Sequence, residues 1–398
     1  MATGIRLPAN GEIPIGGETI DLQQQVARLQ ALLEASRQVH STIREEEVLE
    51  AVLRIVVREL EMAGAAFPGT GLVYGDAPFD GTTGESKGGA QLTYPLDDRD
   101  GRRMTDLVVA PPDGRELTIY EADFLDGLVL QAAVALENAR NHKRNVEFAR
   151  VQQDLDAARL IQRSLLPQTL PSIPGYSLAF RSATCYEVGG DYLDIVDQPD
   201  GSLLVAVADV AGKGLASAIM STSFRSAFRA MAAGGPPLDD LATRMNQYHW
   251  AEGEEARRRY VTAIFLKLRP ECGEIEVVNA GHNPGFLVLP GGAEHLFEAT
   301  GTPLGLLPGM NYARERYAFP AGARLLFYTD GLTEVFKGDG DEEFGPERLI
   351  NEFSNYPAAN ADGILDALWT ALREFSEGSP QRDDMTALAL CRGIEKPG

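Results

Sequence analysis

The sequence predicts an α+β protein in two parts. A small N-terminal α/β domain is joined by a helical connector to a larger domain of antiparallel sheet with helices packed on it. Three observations carry this. The chain has 398 residues, which at about 150 per domain is two or three units. From 121 to 166 one helical pattern runs for 46 residues, about 70 Å at 1.5 Å per residue, beyond the needs of one small core. After Pro167 the texture changes to strand pairs closed by turn residues, interrupted by separate helices.

Taken in order, residues 1–20 are Gly- and Pro-containing and read as a loose arm. An a/d seam of Leu22, Val26, Leu29 and Leu33 then marks a helix, broken at Ser41-Thr42. A second amphipathic run places Val48, Leu49, Val52, Leu53, Val56 and Leu60 on one side, and 64–89 reads as Gly-rich and irregular. Short strands at 91–95 and 106–110 flank the Asp-Asp-Arg-Asp-Gly turn. The long helix begins near Tyr120 and stops at Pro167. Its second half carries Phe148, Val151, Leu155, Ala158 and Leu165 at near-heptad spacing, with Gln162 in an a-type slot; a stripe this narrow predicts a coiled-coil seam. The expected division is an arm at 1–20, an N-terminal domain at 21–141, a connector at 142–166 and the second domain at 167–394. In that domain 193–196 pairs with 203–208, 260–268 with 275–279, and 286–289 with 294–297, while 216–233, 238–248 and 362–374 read as helices.

Charge narrows the function classes. Lys plus Arg is 36 and Asp plus Glu is 58, a formal net charge of −22. Such a chain repels phosphate backbones and anionic lipid heads, which speaks against nucleic-acid and membrane partners and suits divalent cations or basic partners. The three cysteines, Cys185, Cys272 and Cys391, form no CxxC pair or disulfide framework, as expected of a reducing cytoplasm. No apolar run reaches 18 residues, and the N-terminus has no signal-peptide pattern.

Four acidic motifs stand in the second domain: Gly189-Gly190-Asp191-Tyr192, Ala208-Asp209-Val210-Ala211-Gly212-Lys213-Gly214, Tyr328-Thr329-Asp330-Gly331-Leu332-Thr333-Glu334 and Arg382-Asp383-Asp384-Met385-Thr386. Asp209, Asp330 and the Asp383-Asp384 pair each lie at the end of an apolar strand. Any one alone is most simply a turn. Several carboxylates converging on a sheet edge suit a hard cation such as Mg²⁺ or Mn²⁺, because unpaired carboxylates near a core repel each other. The residues alone leave a divalent-metal hydrolase and a set of turns in balance. Gly212-Lys213-Gly214 is no P-loop, since Val207 stands where the first Gly belongs, and Cys185 lacks the Arg of a cysteine-phosphatase loop.

Together with Asn279-Ala280-Gly281-His282-Asn283-Pro284 and Gly301-Thr302-Pro303-Leu304-Gly305, these motifs resemble, in order over about 159–392, the metal-dependent protein phosphatase 2C family, in its bacterial SpoIIE-like branch of serine phosphatases. The resemblance implies a β-sandwich flanked by helices, two Mn²⁺ or Mg²⁺ ions, and hydrolysis of phosphoserine or phosphothreonine on a protein by a hydroxide bridging the metals. It implies that Asp209 bridges both metals, Val210 offers its carbonyl, Asp330 and Asp383 hold the first metal, and Asp191 holds a water on the second, with Asp384 able to substitute. Eukaryotic relatives carry a His and an Arg where this chain has Ala211 and Tyr186, so neither role carries over. Lys213 is open between phosphate binding and a solvated charge, and His282 between catalysis and holding a turn, the latter being favoured.

The N-terminal half resembles a GAF sensor domain, through the helix at 35–61 and the closing pattern from Tyr120-Glu121-Ala122-Asp123-Phe124-Leu125 to Ala139. The expectation is therefore a sensor-regulated serine/threonine phosphatase acting on a phosphorylated signalling protein, such as an anti-sigma-factor antagonist, and forming a homodimer through the connector. Two rivals are a catalytically silent partner-binding protein of the same fold and a nucleotide phosphodiesterase; the intact acidic motifs oppose the first and the lack of a basic groove the second.

Overall fold

The computed structural model describes residues 16–76, 91–338, 340–356 and 360–393. The chain divides into two compact units, Met1–Val151 and Gln152–Gly398. Of the arm expected at 1–20, residues 1–15 lie outside the described residues.

In the first unit, α1 (Gly16–Val39) and α2 (Glu45–Glu59) precede β1 (Gly64–Phe67), β2 (Leu72–Gly75), β3 (Leu92–Asp97), β4 (Arg103–Ala110) and the first part of α3 (Ile119–Leu165). The strands form an antiparallel sheet in the order β2-β1-β4-β3. The apolar spacing of α2 turns Val48, Leu49, Val52, Leu53 and Val56 inward, where they meet Phe67, Leu107, Val109, Leu125, Leu128 and Leu136. The region expected to be irregular begins instead with a hairpin, β1–β2. Its Gly content conceals it: Gly75 has a φ of +83°, and a Cβ there would stand 2.6 Å from the Ala63 carbonyl oxygen. Only Gly closes this strand without a clash. Of the first seam, Val26, Leu29 and Leu33 are exposed; the Leu22 side chain lies outside the described residues.

Thr118 and Glu121 start α3 with a capping box. The Glu121 carboxylate accepts from the Thr118 N–H (2.8 Å) and hydroxyl (2.9 Å). It also accepts two bonds from Arg115, at 2.6 and 2.9 Å. Arg115 above all holds the Glu121 carboxyl down at about 2. A carboxylate lowered in the folded state stabilises above its unfolded pKa, and the gain disappears as pH falls toward the folded one. Glu121→Gln is therefore expected to cost the first unit about 2 kcal/mol at pH 7, the exposed Arg115 side keeping it below the full linkage value. Denaturant unfolding of the two chains should converge between pH 4.5 and 2; a pH-independent gap would contradict the assignment.

The second unit holds the rest of α3, then β5 (Tyr176–Ala183), β6 (Tyr192–Asp197), β7 (Leu203–Val210), α4 (Leu215–Ala232), α5 (Leu238–Ala251) and α6 (Glu254–Arg257). There follow β8 (Val261–Arg269), β9 (Glu274–Ala280), β10 (Gly285–Val288), β11 (Glu294–Phe297), β12 (Glu315–Ala318), β13 (Arg324–Tyr328), α7 (Gly345–Asn355), α8 (Ala361–Ser376) and β14 (Met385–Arg392). Two five-stranded sheets result, ordered β11-β10-β13-β14-β5 and β12-β9-β8-β7-β6, with every pair of neighbouring strands antiparallel.

The sheets pack face to face through Leu193, Val205, Val207, Ile264 and Leu266 of one and Leu287, Leu325, Phe327, Leu388 and Leu390 of the other. Alternate residues face outward: Ala206, Ala208 and Phe265 pack on Phe224 and Phe228 of α4, and Leu326, Ala387 and Ala389 pack on Leu349 and Phe353 of α7 and Leu365 and Leu368 of α8. This is the expected α+β class, a sandwich between two helical layers. The three expected hairpins form as β6–β7, β8–β9 and β10–β11. Among the described residues no helix is long and apolar enough to cross a membrane.

Candidate metal centre

The register of the two sheets delivers the acidic motifs to neighbouring strand ends. Asp209 is the penultimate residue of β7, and Asp191 immediately precedes its neighbour β6. On the other sheet Asp330 follows β13 and Asp384 precedes its neighbour β14. Thr329 joins the pieces. Its N–H donates to the Thr386 carbonyl (2.9 Å), its hydroxyl accepts from the Thr386 N–H (2.9 Å), and that hydroxyl donates to Asp191 Oδ2 at 2.8 Å. Asp384 is fixed by N–H donors from Gly190 (2.7 Å) and Cys185 (2.8 Å).

Glycines let these groups close up. A Cβ on Gly190 would lie 2.8 Å from the Val210 carbonyl oxygen and 3.1 Å from Asp209 Oδ1; one on Gly189 would lie 2.2 Å from Asp384 Oδ2. One on Gly331 would lie 1.9 Å from the Asp384 carbonyl oxygen. The Gly-Gly step is thus a space that only hydrogen fills, beside a carbonyl and two carboxylates.

The electrostatics follow from burial and crowding. Burial pushes the Asp209 carboxyl up to about 7, reinforced by the charges of Asp330, Asp383 and Asp384. Burial, then Asp209, raises Asp191; burial, then Asp383, raises Asp330; burial also raises Asp384. Against this stands Lys213, whose Nζ lies 2.7 Å from Asp383 Oδ2 and donates to the Arg382 carbonyl at 2.7 Å. Lys213, with 48% of its side chain exposed, is thus held between the end of β7 and the start of β14. Among the described residues, no three His, Cys, Asp or Glu side chains stand together at the spacing of a metal's ligands. Their oxygens are turned toward Thr329, Gly190, Cys185 and Lys213. The donor chemistry nevertheless fits a hard cation: hard oxygen donors, buried, mutually repelling, beside the Val210 carbonyl.

Two residues outside the motifs bear on the site. Gln162, on α3, donates to the Gly189 carbonyl (2.6 Å) and accepts from the Gly189 N–H (3.0 Å). The seam expected on this helix separates accordingly: Phe148 and Val151 are exposed, whereas Leu155, Ala158 and Leu165 are half-buried, with Gln162 spent on Gly189. Asp194, fully buried, takes two bonds of 2.6 Å from Arg229, tying β6 to α4 beside Asp191. His282 is held as a turn residue would be: its N–H donates to Asn279 Oδ1 (2.7 Å), its Nδ1 meets the Thr262 hydroxyl (2.9 Å), and burial lowers it to about 4, so it is neutral at pH 7.

Residues 199–393 match the family model described as Stage II sporulation protein E (SpoIIE). The C-terminal unit is a SpoIIE-type PP2C domain. Phosphoserine phosphatase RsbP of Bacillus subtilis is 27% identical over 234 residues, 58% of this chain and 56% of that protein. Protein IcfG of Synechocystis sp. is 25% identical over 264 residues, 60% of this chain and 41% of that protein. The chain thus spans about half the length of these two curated relatives. Among solved structures, the SiaA-PP2C domain of Pseudomonas aeruginosa superposes with a TM-score of 0.55 at 21% identity, covering 62% of this chain and 98% of that one. That likeness confirms the sandwich architecture of the SpoIIE-type domain.

A carboxyl raised in the folded state favours folding below its unfolded pKa, and that advantage disappears as pH rises through the folded value. Chelator-treated protein should therefore lose stability as pH rises from about 4 to 7. Asp209→Asn should flatten this slope and stabilise the chelated protein at pH 8 by on the order of 1–3 kcal/mol. Thermal melts of both chains across this range test it; an Asp209→Asn chain that melts lower at pH 8 would show that the carboxylate is not under like-charge strain.

Proposed function

We propose that this protein is a metal-dependent protein serine/threonine phosphatase, regulated through a GAF-like N-terminal domain and acting on a phosphorylated signalling protein such as an anti-sigma-factor antagonist. The reading places it in the cytoplasm, where its unpaired cysteines belong. It rests on one observation above all: Asp191, Asp209, Asp330, Asp383 and Asp384 of a SpoIIE-type domain share one edge of the sandwich beside a glycine step that leaves the Val210 carbonyl open.

In this reading Asp209, the Val210 carbonyl, Asp330 and Asp383 would hold the Mn²⁺ or Mg²⁺ ions and Asp191 a metal-bound water, with Asp384 holding the Gly190 backbone or substituting as ligand. Bound divalent cations supply Lewis acidity and charge neutralisation at the phosphoryl oxygens. The chain supplies the positioning: Thr329 fixes Asp191, Gly190 and Cys185 fix Asp384, and Lys213 holds Asp383. No side-chain nucleophile is required, and Cys185, raised by burial, is not suited to be one.

Activity on an aryl phosphate should require added Mn²⁺ or Mg²⁺ and vanish with chelator, since an all-oxygen site holds metal modestly. Asp330→Asn should lose more than about tenfold in kcat, above 1.4 kcal/mol of barrier. Full turnover after dialysis against chelator, or a nearly unimpaired Asp330→Asn, would defeat the reading.

The connector belongs to the same proposal as a dimer seam. Phe148 (71% exposed) and Val151 (57% exposed) stay open to a second copy. Light scattering of the full chain at micromolar concentration should give a dimer, and Val151→Glu a monomer that retains metal-dependent turnover. A monomeric parent chain would reject the seam.

A further inference from the structure

Beside the carboxylates lies a cavity of about 320 Å³ that the metal chemistry leaves unused. Its apolar wall is formed by Phe336, Trp369, Leu372 and Met385, and the charged residues in its lining are Glu334, Arg373 and Arg382. It shares backbone with the site. Gly331 and Arg382 line it, and each is the chain neighbour of a site carboxylate, Asp330 and Asp383. Neighbouring Cα atoms are about 3.8 Å apart, so a phosphoryl group at the carboxylates carries its parent chain across this opening within one or two residues.

The charges indicate what that chain brings. In a protein of net charge −22, most arginines near a cleft are expected to be paired with acids. Here the Arg382 guanidinium lies 3.9 Å over the Phe336 ring, and Arg373 donates to the Thr370 hydroxyl at 3.3 Å. Among the described residues neither is in a salt bridge with a carboxylate, whereas Arg181, Arg229, Arg269 and Arg348 are. Glu334, on the side of Asp330 and Asp383, has its carboxyl raised by burial and by those charges, so the two arginines dominate the rim, and an apolar wall with such a rim complements an apolar side chain followed by a carboxylate. The volume is at the small end for binding pockets and suits one side chain better than a nucleotide.

We infer that this cavity is a specificity pocket for the phosphorylated protein, receiving an apolar side chain within two residues of the phosphoserine while Arg373 and Arg382 engage an adjacent acidic residue. The inference rests on the phosphatase reading and names the sequence class that the same site prefers. It makes selectivity a property of α8 and the segment before β14, not of the carboxylates.

The test uses the full chain and two pairs of peptides. One pair carries phosphoserine flanked either by Leu and Asp or by Gly residues; the other carries a non-hydrolysable phosphonate in its place and a fluorescent label. With Mn²⁺, the Leu/Asp peptide should be turned over with a kcat/KM about tenfold higher, and its phosphonate should bind about tenfold tighter by anisotropy. Ser376→Phe, which fills the cavity, and Arg373→Glu, on its exposed rim, should each reduce the difference to below about threefold. Both should leave p-nitrophenyl phosphate turnover as in the parent chain. Equal handling of the two flanks by the parent chain, or a preference that survives both variants, would overturn the inference. Tenfold discrimination in binding without turnover of any phosphate would overturn the phosphatase reading and leave the pocket standing.

Discussion

Carboxylates that must share a half-buried edge set the terms for the C-terminal unit. Asp191, Asp209, Asp330 and Asp384 are all raised by burial, and Asp209 feels three like charges. A fold tolerates this only where the backbone around the charges cannot relax away from them. Both sheets provide that rigidity. β7 pairs with β8 along its whole length and with β6 from Leu203 to Ala208, β13 and β14 pair through Tyr328 and Ala387, and Thr329 bonds across the last step. The buried Asp194, paired with the surface Arg229, holds β6 in register next to Asp191. The carboxylates sit at the ends of these ladders, held by them, so repulsion is stored as a readiness to take up positive charge.

Lys213 gives a second view of this balance. Its ammonium reaches Asp383, at the partly exposed side of the cluster, and leaves Asp209 to its like-charged neighbours. A flexible ammonium is one charge on a long stem and neutralises only the edge it can reach. The deeper carboxylates can be matched only by something smaller and more highly charged.

How much of this was legible follows from which signals are local. The hairpins β6–β7, β8–β9 and β10–β11 announce themselves through Gln-Pro-Asp-Gly, Glu-Cys-Gly and Pro-Gly-Gly between apolar runs, and they form as expected. The acidic motifs were equally plain, because each places an Asp against an apolar strand. β1 and β2 were missed because Gly64, Gly69, Gly71 and Gly75 look like disorder until the positive φ of the last three is seen. α7 was missed behind Gly345-Pro346, where Pro in fact opens the helix. β5 gave no turn signal, since its partner β14 lies some 200 residues onward and no short-range pattern reports it. Thr329 was visible inside its motif, but its bridging role needs both sheets in place. Gln162 reads from the sequence as the occupant of an a-type slot in the seam; its partner is a backbone group 27 residues away.

That last contact also determines where the C-terminal unit begins. Pro167 marks the change of texture and residue 199 the start of the family match, yet neither is a physical boundary. Gly189 has its N–H and carbonyl satisfied by a side chain on α3, and Gln152, three turns earlier, reaches Glu187 at 3.1 Å. The final turns of α3 are therefore part of the domain's own hydrogen-bonding shell. A chain cut at Pro167 would strand a buried glycine peptide one residue from Gly190 and two from Asp191. The first unit can consequently be exchanged cleanly only upstream of Gln152; below it, α3 belongs to the bonding of the second unit.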